Sequence, residues 1–353
     1  MSEAGKFEYN HFKFRQRLGF GFFQFVDHFF GREKVQKVLR KQRHRLFLDI
    51  ACTLRKKGSG KTFYVERCEN LSIKEFKKEY LNKNRPVILA GAAKEWACSQ
   101  QWDLEYLRSN YGSDQLLIVN TEDPSSPHRQ LSLSEALDNL KKGGNENYIR
   151  FYNLLEKHPE RVLDFDYTWL RRMRHKWDIS EAWQVFIGVK EHFTNIHNAP
   201  ANNFFVMAHG EKTWIMQPMY FAAIVDPIAT KSGVYRTGPW RNGKPFNPFK
   251  PDYKGHPLYR YIDNYIVELK EGDVLFNPAY WWHTVKNETE TIGIGYRWIN
   301  PFHNLRFHPL YFLLDLTARK PGFFKSIKMW NSTVNKVFLA ENKKLSQQTK
   351  RQV

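Results

Sequence analysis

The sequence contains few cysteines, and none of them forms a metal-binding or disulfide pattern. Its 353 residues include only Cys52, Cys68 and Cys98. The count is odd and no pair has C-x-x-C spacing, so neither a disulfide framework nor a structural zinc site is expected. Reduced thiols are typical of a reducing compartment, and we therefore expect a cytoplasmic protein.

A long apolar run is also missing. The most apolar stretch near the N-terminus, residues 18–30, contains Gln24, Asp27 and His28, and it is too short and polar to span a bilayer. It lacks a small-residue cleavage site, so we expect neither a signal peptide nor a transmembrane helix. Hydrophobic residues nevertheless make up 42% of the chain and aromatic residues 16%, which excludes a mainly disordered protein.

Acidic residues are scarce relative to basic ones. The chain has 36 Asp and Glu against 55 Lys and Arg, a formal net charge of +19. The basic residues concentrate in residues 32–61 and 319–351. A solvated basic surface is the simplest reading, and an acidic partner or peripheral contact with an anionic membrane is the alternative. No zinc-finger spacing or RNA-binding aromatic motif is present, which disfavours nucleic acid.

Two histidines in strand-like segments are the most informative residues. His197 lies within residues 194–199, and His283 ends a segment that begins at Gly272. A mononuclear iron(II) site binds its metal through two histidines and one carboxylate on one face of the ion. Residue 199 falls on the same side of a strand as His197, but it is alanine and has no donor atom. A metal here would keep two protein ligands.

Residues from about 85 to 301 resemble the JmjC and cupin-like family of Fe(II)- and 2-oxoglutarate-dependent oxygenases. The resemblance rests on the entry strand at 85–89, the G-x-K-x-W motif at 210–214 and the segment 269–283 that delivers the second histidine. It implies a mainly β fold with flanking helices (α+β) and a double-stranded β-helix, or jelly-roll, core.

The resemblance also implies a set of site residues. Fe(II) would be bound by His197 and His283. The cosubstrate 2-oxoglutarate would be bound by Lys212, whose ammonium suits a carboxylate, together with further polar side chains. These are Thr194, Asn203, Tyr148 and Tyr296. Tyr152 shares a predicted strand face with Tyr148 and could serve instead, and packing is the alternative role for both.

Three explanations of Ala199 compete. In the radical halogenases, a branch of the 2-oxoglutarate enzymes that use O2, a small residue replaces the acid, and chloride or bromide occupies the coordination position. We favour this explanation because an open coordination position is its chemical prerequisite. The cosubstrate residues are all retained and the acid alone is missing, which favours continued chemistry over a binding module. Hydroxylation with a substitute oxygen ligand is the second explanation, and a non-catalytic binding module is the third. Glu191 or Glu211 could supply the acid only if the strand register differed.

The chain divides into three predicted regions. Residues 1–60 form a basic amphipathic helical arm, residues 61–302 form the catalytic domain, and residues 303–353 form a helical extension with a basic tail. An aromatic insertion at about 219–265 could bind substrate, with Arg236 and Arg241 as candidate ligands for an acidic group. The substrate could be a small molecule, a carrier-bound group or a protein side chain. A homodimer through the C-terminal helices is plausible.

Overall fold

The computed structural model describes residues 12–118, 128–219, 222–225, 236–238, 240–241, 244–318 and 322. The basic tail predicted beyond residue 318 lies almost wholly outside these ranges, as do parts of the aromatic insertion. Among the described residues, no helix is both long enough and apolar enough to cross a bilayer.

Two facing sheets form the centre of the molecule. The first contains six strands in the order β1-β14-β10-β16-β8-β11, and the second contains seven in the order β2-β3-β15-β9-β17-β7-β6. With the helices around them they form a cupin-like jelly-roll core, so the fold class predicted from the sequence is confirmed. The strands of the first sheet are β1 (Thr62–Tyr64), β8 (Phe193–Asn198), β10 (Lys212–Gln217), β11 (Arg236–Thr237), β14 (Asn264–Leu269) and β16 (Trp282–Asn287).

Antiparallel pairing dominates the second sheet as well. Its strands are β2 (Arg67–Cys68), β3 (Val87–Leu89), β6 (Ile149–Tyr152), β7 (Ile179–Gly188), β9 (Asn202–His209), β15 (Val274–Asn277) and β17 (Thr291–Ile299). Two hairpins stand apart, one of β4 (Gln115–Ile118) and β5 (Arg129–Ser132), the other of β12 (Trp240–Arg241) and β13 (Lys244–Pro245).

Side chains alternate between the two faces of the second sheet, and the alternation separates two cores. Along β9, Phe205 and Met207 face the space between the sheets, where they pack with residues such as Trp214. Phe204 and Val206 face the opposite way, into a core shared with the surrounding helices. Strands buried on both faces are apolar throughout rather than alternating in polarity, which explains the apolar composition of β9.

Six helices cover the outer face of the second sheet. They are α3 (Ile73–Glu79), α4 (Ala97–Gln101), α5 (Leu104–Tyr111), α6 (Leu133–Leu140), α7 (Leu154–Lys157) and α8 (Tyr167–Met173). Helix α3 begins with the predicted capping box, in which Ser72 Oγ accepts from the Glu75 backbone N–H at 3.2 Å. The same motif starts α6 at Ser132.

The N-terminal arm is helical and is packed against the barrel. It consists of α1 (Phe14–Phe30) and α2 (Arg32–Lys57), separated by Gly31 at φ +84°. Phe20 of α1 and Leu54 of α2 share a core with Trp282 of β16. Three further helices lie on this side, α9 (Ala222–Val225), α10 (Pro301–Phe307) and α11 (Pro309–Leu316).

The connection between the arm and the barrel is held in place by contacts with the barrel. The Gly60 backbone N–H donates to the Arg260 carbonyl at 2.8 Å, and Lys57 Nζ lies 2.6 Å from an Asp263 carboxylate oxygen. A Cβ at Gly60 would lie 1.9 Å from the Ile262 carbonyl oxygen, so only glycine fits there. The three-region division of the chain stays a prediction.

Candidate metal and cosubstrate site

His197 and His283 meet inside the barrel. Strands β8 and β16 are antiparallel neighbours, and the two histidines are direct cross-strand partners. Their ring centroids lie 4.2 Å apart and both residues are buried. Residues about 85 positions apart in the sequence are thus close enough for one ion to bind both.

Backbone carbonyls set the tautomer of each ring. His197 Nδ1 lies 2.7 Å from the Asn195 carbonyl oxygen, and His283 Nδ1 lies 2.9 Å from the Trp281 carbonyl oxygen. A carbonyl oxygen only accepts, so in each ring Nδ1 carries the proton and Nε2 carries the lone pair. These acceptors could not be located from the sequence.

The environment keeps both rings neutral. Burial lowers the pKa of His283 to about 4, with a further contribution from the Arg297 charge. Burial also lowers the pKa of His197 to well below its ordinary value, and His283 and Arg297 add to that effect. Neutral imidazole is the form that binds a metal ion, so the pair is suited to ligation at neutral pH.

A β-bulge brings Thr194 to the same interior as His197. Residues three apart on a regular strand face opposite sides, but the pairing of β8 with β16 shifts by one residue between His197 and Thr194. The Thr194 hydroxyl then contacts the hydroxyl of Tyr148, another buried residue of the interior. The structure therefore places both Thr194 and Tyr148 beside the predicted cosubstrate space.

Lys212 is buried with neutral hydrogen-bond partners. Its Nζ donates to Asn287 Oδ1 at 2.5 Å, to Thr291 Oγ1 at 2.9 Å and to Tyr148 Oη at 3.3 Å. Burial, reinforced by the charge of Arg150, holds the pKa of Lys212 well below its ordinary value. An ammonium buried without an acidic partner is costly, and a carboxylate ligand would offset that cost.

Glycines on β7 and β17 leave room around these side chains. A Cβ at Gly293 would lie 3.2 Å from Lys212 Cε, and one at Gly295 would lie 3.1 Å from Asn203 Oδ1. Asn203 is buried, and its Oδ1 has no hydrogen-bond partner among the described residues. The structure thus brings Asn203 to the interior wall, with its Oδ1 beside Gly295.

Ala199 follows β8 directly, and its side chain carries no donor atom for a metal. Its carbonyl accepts from the Tyr280 backbone N–H at 2.8 Å, so the chain here is fixed. Within the described ranges, no group of three or more His, Cys, Asp or Glu residues is arranged to hold a metal ion. Glu191 and Glu211 are both exposed, and Glu191 lies 3.6 Å from Lys286 Nζ.

Tyr296 does not join this site, contrary to the sequence-based assignment. Gly295 and Arg297 face the interior, so strand alternation turns Tyr296 to the outer face of β17. There its hydroxyl lies 2.7 Å from Arg174 Nη1 and 3.0 Å from Glu181 Oε2. The resemblance identified the strand correctly but did not fix which face the residue would occupy.

Tyr152 does not share the face of Tyr148, because the strand pairing shifts near these residues. The pairing of β6 with β7 shifts between residues 149 and 152, and Phe151 has a φ of +61°. The Tyr152 hydroxyl donates to Asp114 at 2.6 Å, away from Lys212. Of the two tyrosines only Tyr148 lines the interior.

Two arginines near the site were missed from the sequence. The charge of Arg297 lowers the pKa of both histidines, and Arg150 lies 4.2 Å from the ring centroid of Tyr148 and lowers the pKa of Lys212. Arg297 could have been found, because it lies two residues after Gly295 on the same strand face. The interior is therefore a cationic space suited to anions.

Arg236, one of the two arginines expected to bind a substrate acid, has a structural role instead. It is buried, pairs with the Asp315 carboxylate and lies 4.4 Å from the ring centroid of Tyr311. It thereby fixes strand β11 to helix α11. The side chain of Arg241 lies outside the described part of the structure.

Comparison with known proteins identifies the family. A model of the cupin-like domain matches residues 73–304, and the chain belongs to that family. The human bifunctional peptidase and (3S)-lysyl hydroxylase JMJD7 is 23% identical over 284 residues, which cover 70% of this chain and 87% of that protein.

Two further relatives are similarly distant. The chicken 2-oxoglutarate and iron-dependent oxygenase JMJD4 is 22% identical, over 69% of this chain and 61% of its own length. The Caenorhabditis elegans bifunctional arginine demethylase and lysyl-hydroxylase psr-1 is 22% identical, over 65% of this chain and 59% of its own length. Relatives of this cupin-like domain thus include named iron- and 2-oxoglutarate-dependent oxygenases.

Proposed function

We propose that this protein is an Fe(II)- and 2-oxoglutarate-dependent oxidoreductase. His197 and His283 bind the metal through Nε2, and Lys212 binds the distal carboxylate of 2-oxoglutarate. The observation that carries this proposal is the combination of two neutral, tautomer-fixed histidines with a buried ammonium whose hydrogen-bond partners among the described residues are all neutral. The names of the relatives support the same chemistry.

Each residue has a separate task. A bound ferrous ion would supply oxygen activation coupled to decarboxylation of 2-oxoglutarate to succinate. Lys212 orients the cosubstrate from its far end, and the Thr194 and Tyr148 hydroxyls provide further polar contacts. Trp214 stacks on His283, with ring centroids 5.2 Å apart, and limits both ring rotation and water access.

Hydroxylation of a protein side chain is the reaction class we put first. The names of the human and nematode relatives specify a lysyl hydroxylase and an arginine demethylase. Both act on long basic side chains, so a lysine- or arginine-containing polypeptide is the substrate class to test first. A water or another oxygen ligand would then occupy the coordination position beside Ala199.

C–H halogenation is the second candidate, and the site beside Ala199 favours it. The described residues supply no carboxylate to the histidine pair, and the charge of Arg297 reaches both rings. A chloride or bromide ion would find an open coordination position in a cationic space. The reaction would replace a C–H bond by a C–halogen bond and would also consume 2-oxoglutarate and O2.

One experiment distinguishes these outcomes. Anaerobically purified full-length protein is loaded with Fe(II) and 2-oxoglutarate, with or without chloride or bromide, and exposed to O2 in the presence of a pool of lysine- and arginine-containing peptides. Succinate formation supports the oxidoreductase. A product heavier by one oxygen supports hydroxylation, and a halide-dependent product with the halogen isotope pattern supports halogenation. If the protein bound neither the metal nor 2-oxoglutarate, the proposal would be contradicted, and a non-catalytic binding module would be the remaining explanation.

Substitution of Ala199 provides a matched pair of variants. Ala199→Asp restores a carboxylate, and we expect roughly tenfold tighter Co(II) or Fe(II) binding together with halide-independent turnover. Ala199→Asn has nearly the same size but no charge, and it should leave metal affinity close to that of the unmodified protein. Equal affinities for all three would show that residue 199 does not face the metal.

A further inference from the structure

Helix α1 exposes an apolar face and buries a largely polar one. Five large apolar side chains recur at intervals of three or four residues and are all exposed, with Phe14 at 71% and Phe22 at 50% of full exposure. At 100° per residue they fall within an arc of about 80° on the helix. They are Phe14, Leu18, Phe22, Phe25 and Phe29, and we call them the α1 stripe.

Polar contacts fix the rotation of α1 with the stripe outward. Gln16 Nε2 donates to Thr53 Oγ1 at 2.8 Å on α2, and Asp27 accepts from Arg43 at 2.8 Å on the same helix. On the other side, His28 Nε2 lies 3.1 Å from the hydroxyl oxygen of Thr317, just beyond α11. A rotation that buried the stripe would break these contacts and leave buried polar groups without partners.

The two helices of the arm, which carry the α1 stripe, expose mainly basic side chains. Residues 13–57 are all described, and they expose ten Lys or Arg side chains against one acid, Glu33. The ten are Lys13, Arg15, Arg17, Lys34, Lys37, Arg40, Lys41, Arg45, Arg55 and Lys56. An apolar, Phe-rich helix face with a cationic rim is the arrangement that lies in the interface of an anionic bilayer.

We propose that the α1 stripe docks this protein on an anionic membrane surface. The five apolar side chains enter the boundary between headgroups and acyl chains, and the exposed lysines and arginines of α1 and α2 contact the lipid phosphates and carboxylates. Charge argues against a second copy of this surface, since two such faces would each bring the same cationic rim. The stripe spans about 22 Å along the helix, a length that matches shallow insertion parallel to the surface.

The test is vesicle binding by the full-length protein. Flotation with vesicles of phosphatidylcholine and phosphatidylserine should recover the protein, while phosphatidylcholine alone should not. We expect Phe22→Glu combined with Phe25→Glu to lower the apparent affinity at least about tenfold, since two apolar anchors become charged. Leu163→Glu replaces an apolar residue with 52% exposure outside the arm and serves as the matched control.

A charge-reversal variant measures the electrostatic contribution to membrane binding. Lys37→Glu combined with Lys41→Glu should weaken binding to anionic vesicles and make it less sensitive to added salt. Thermal unfolding of each variant should match the parent, because every substituted residue is exposed. Absence of binding to anionic vesicles would overturn the proposal. Self-association in solution that the Phe22→Glu and Phe25→Glu pair abolishes would overturn it in favour of a second copy.

Discussion

The hydrogen-bond partners of Lys212 differ from those expected of a structural buried lysine. A structural buried lysine normally pairs with an acid, whereas Lys212 donates to an amide oxygen and two hydroxyl groups. The sequence predicted this lysine through its place in the G-x-K-x-W motif at residues 210–214. It could not predict the neutral partners, because Asn287 and Thr291 reach it from strands distant in the sequence.

We expect Lys212→Met to weaken cosubstrate binding without destabilising the protein. Loss of a charge-assisted bond to the carboxylate costs about 2 kcal/mol, or roughly 30-fold in the dissociation constant of 2-oxoglutarate. Removal of a buried ammonium should leave the free energy of unfolding of the ligand-free protein unchanged or higher. Calorimetric titration with 2-oxoglutarate measures the first effect, and urea unfolding measures the second.

The control for that substitution is Lys270→Met, at an exposed lysine of the same chain. It should bind 2-oxoglutarate as the parent does. If Lys212→Met bound 2-oxoglutarate normally, the assignment of the ammonium to the distal carboxylate would be wrong.

At the scale of single elements, the strand bulges decide which side chains meet. The shift between β8 and β16 brings Thr194 and His197 to one interior, and the shift between β6 and β7 separates Tyr148 from Tyr152. The sequence located each strand, but a one-residue shift changes the face of every following side chain. That is why Tyr152 does not share the face of Tyr148, although the strand itself was found.

The contact between α1 and α2 depends on a buried ion pair. Asp27 is fully buried and accepts from Arg43 at 2.8 Å and from Arg32 at 2.9 Å. We expect Asp27→Ala to lower the free energy of unfolding by about 3 kcal/mol, because the acceptor of two guanidinium groups is lost from a buried position. Urea unfolding followed by circular dichroism measures the change.

An exposed ion pair serves as the control for the buried pair of Asp27. Asp138 accepts from Arg108 at 2.7 Å, but its side chain is largely exposed. Asp138→Ala should cost less than about 1 kcal/mol. Equal losses for the two variants would mean that burial of Asp27 does not determine the strength of its contact.

Across the whole molecule, buried histidines couple folding to pH. Burial lowers the pKa of His283 to about 4, that of His303 to about 4 and that of His308 to about 3. Between about pH 6.5 and pH 4 the unfolded chain therefore binds protons that the folded chain does not. The contribution of these histidines to the free energy of unfolding is fully present above about pH 6.5 and decreases as the pH falls through this window.

Within this window, each such histidine contributes up to about 1.4 kcal/mol per pH unit to the slope of the free energy of unfolding against pH. Urea unfolding at several pH values measures the total. His308→Gln, which keeps an acceptor for the Asn84 amide, should flatten the dependence below pH 6. His44→Gln, at an exposed histidine, should leave it unchanged. If the two variants had the same slope as the parent, burial of His308 would not control the acid sensitivity.

The sequence by itself determined the fold class, the two histidines, the missing acid and the candidate residues Thr194, Asn203 and Lys212. The fold class and the candidate residues follow from the resemblance to the cupin-like family, because its motifs are properties of short segments. Only the tertiary structure decided which faces the bulged strands present, that Arg150 and Arg297 make the interior cationic, and that Arg236 serves packing. It also decided the outward face of α1, because the residues that bind its polar side come from α2 and the C-terminal helices. Such contacts join segments far apart in the chain, and no local pattern encodes them.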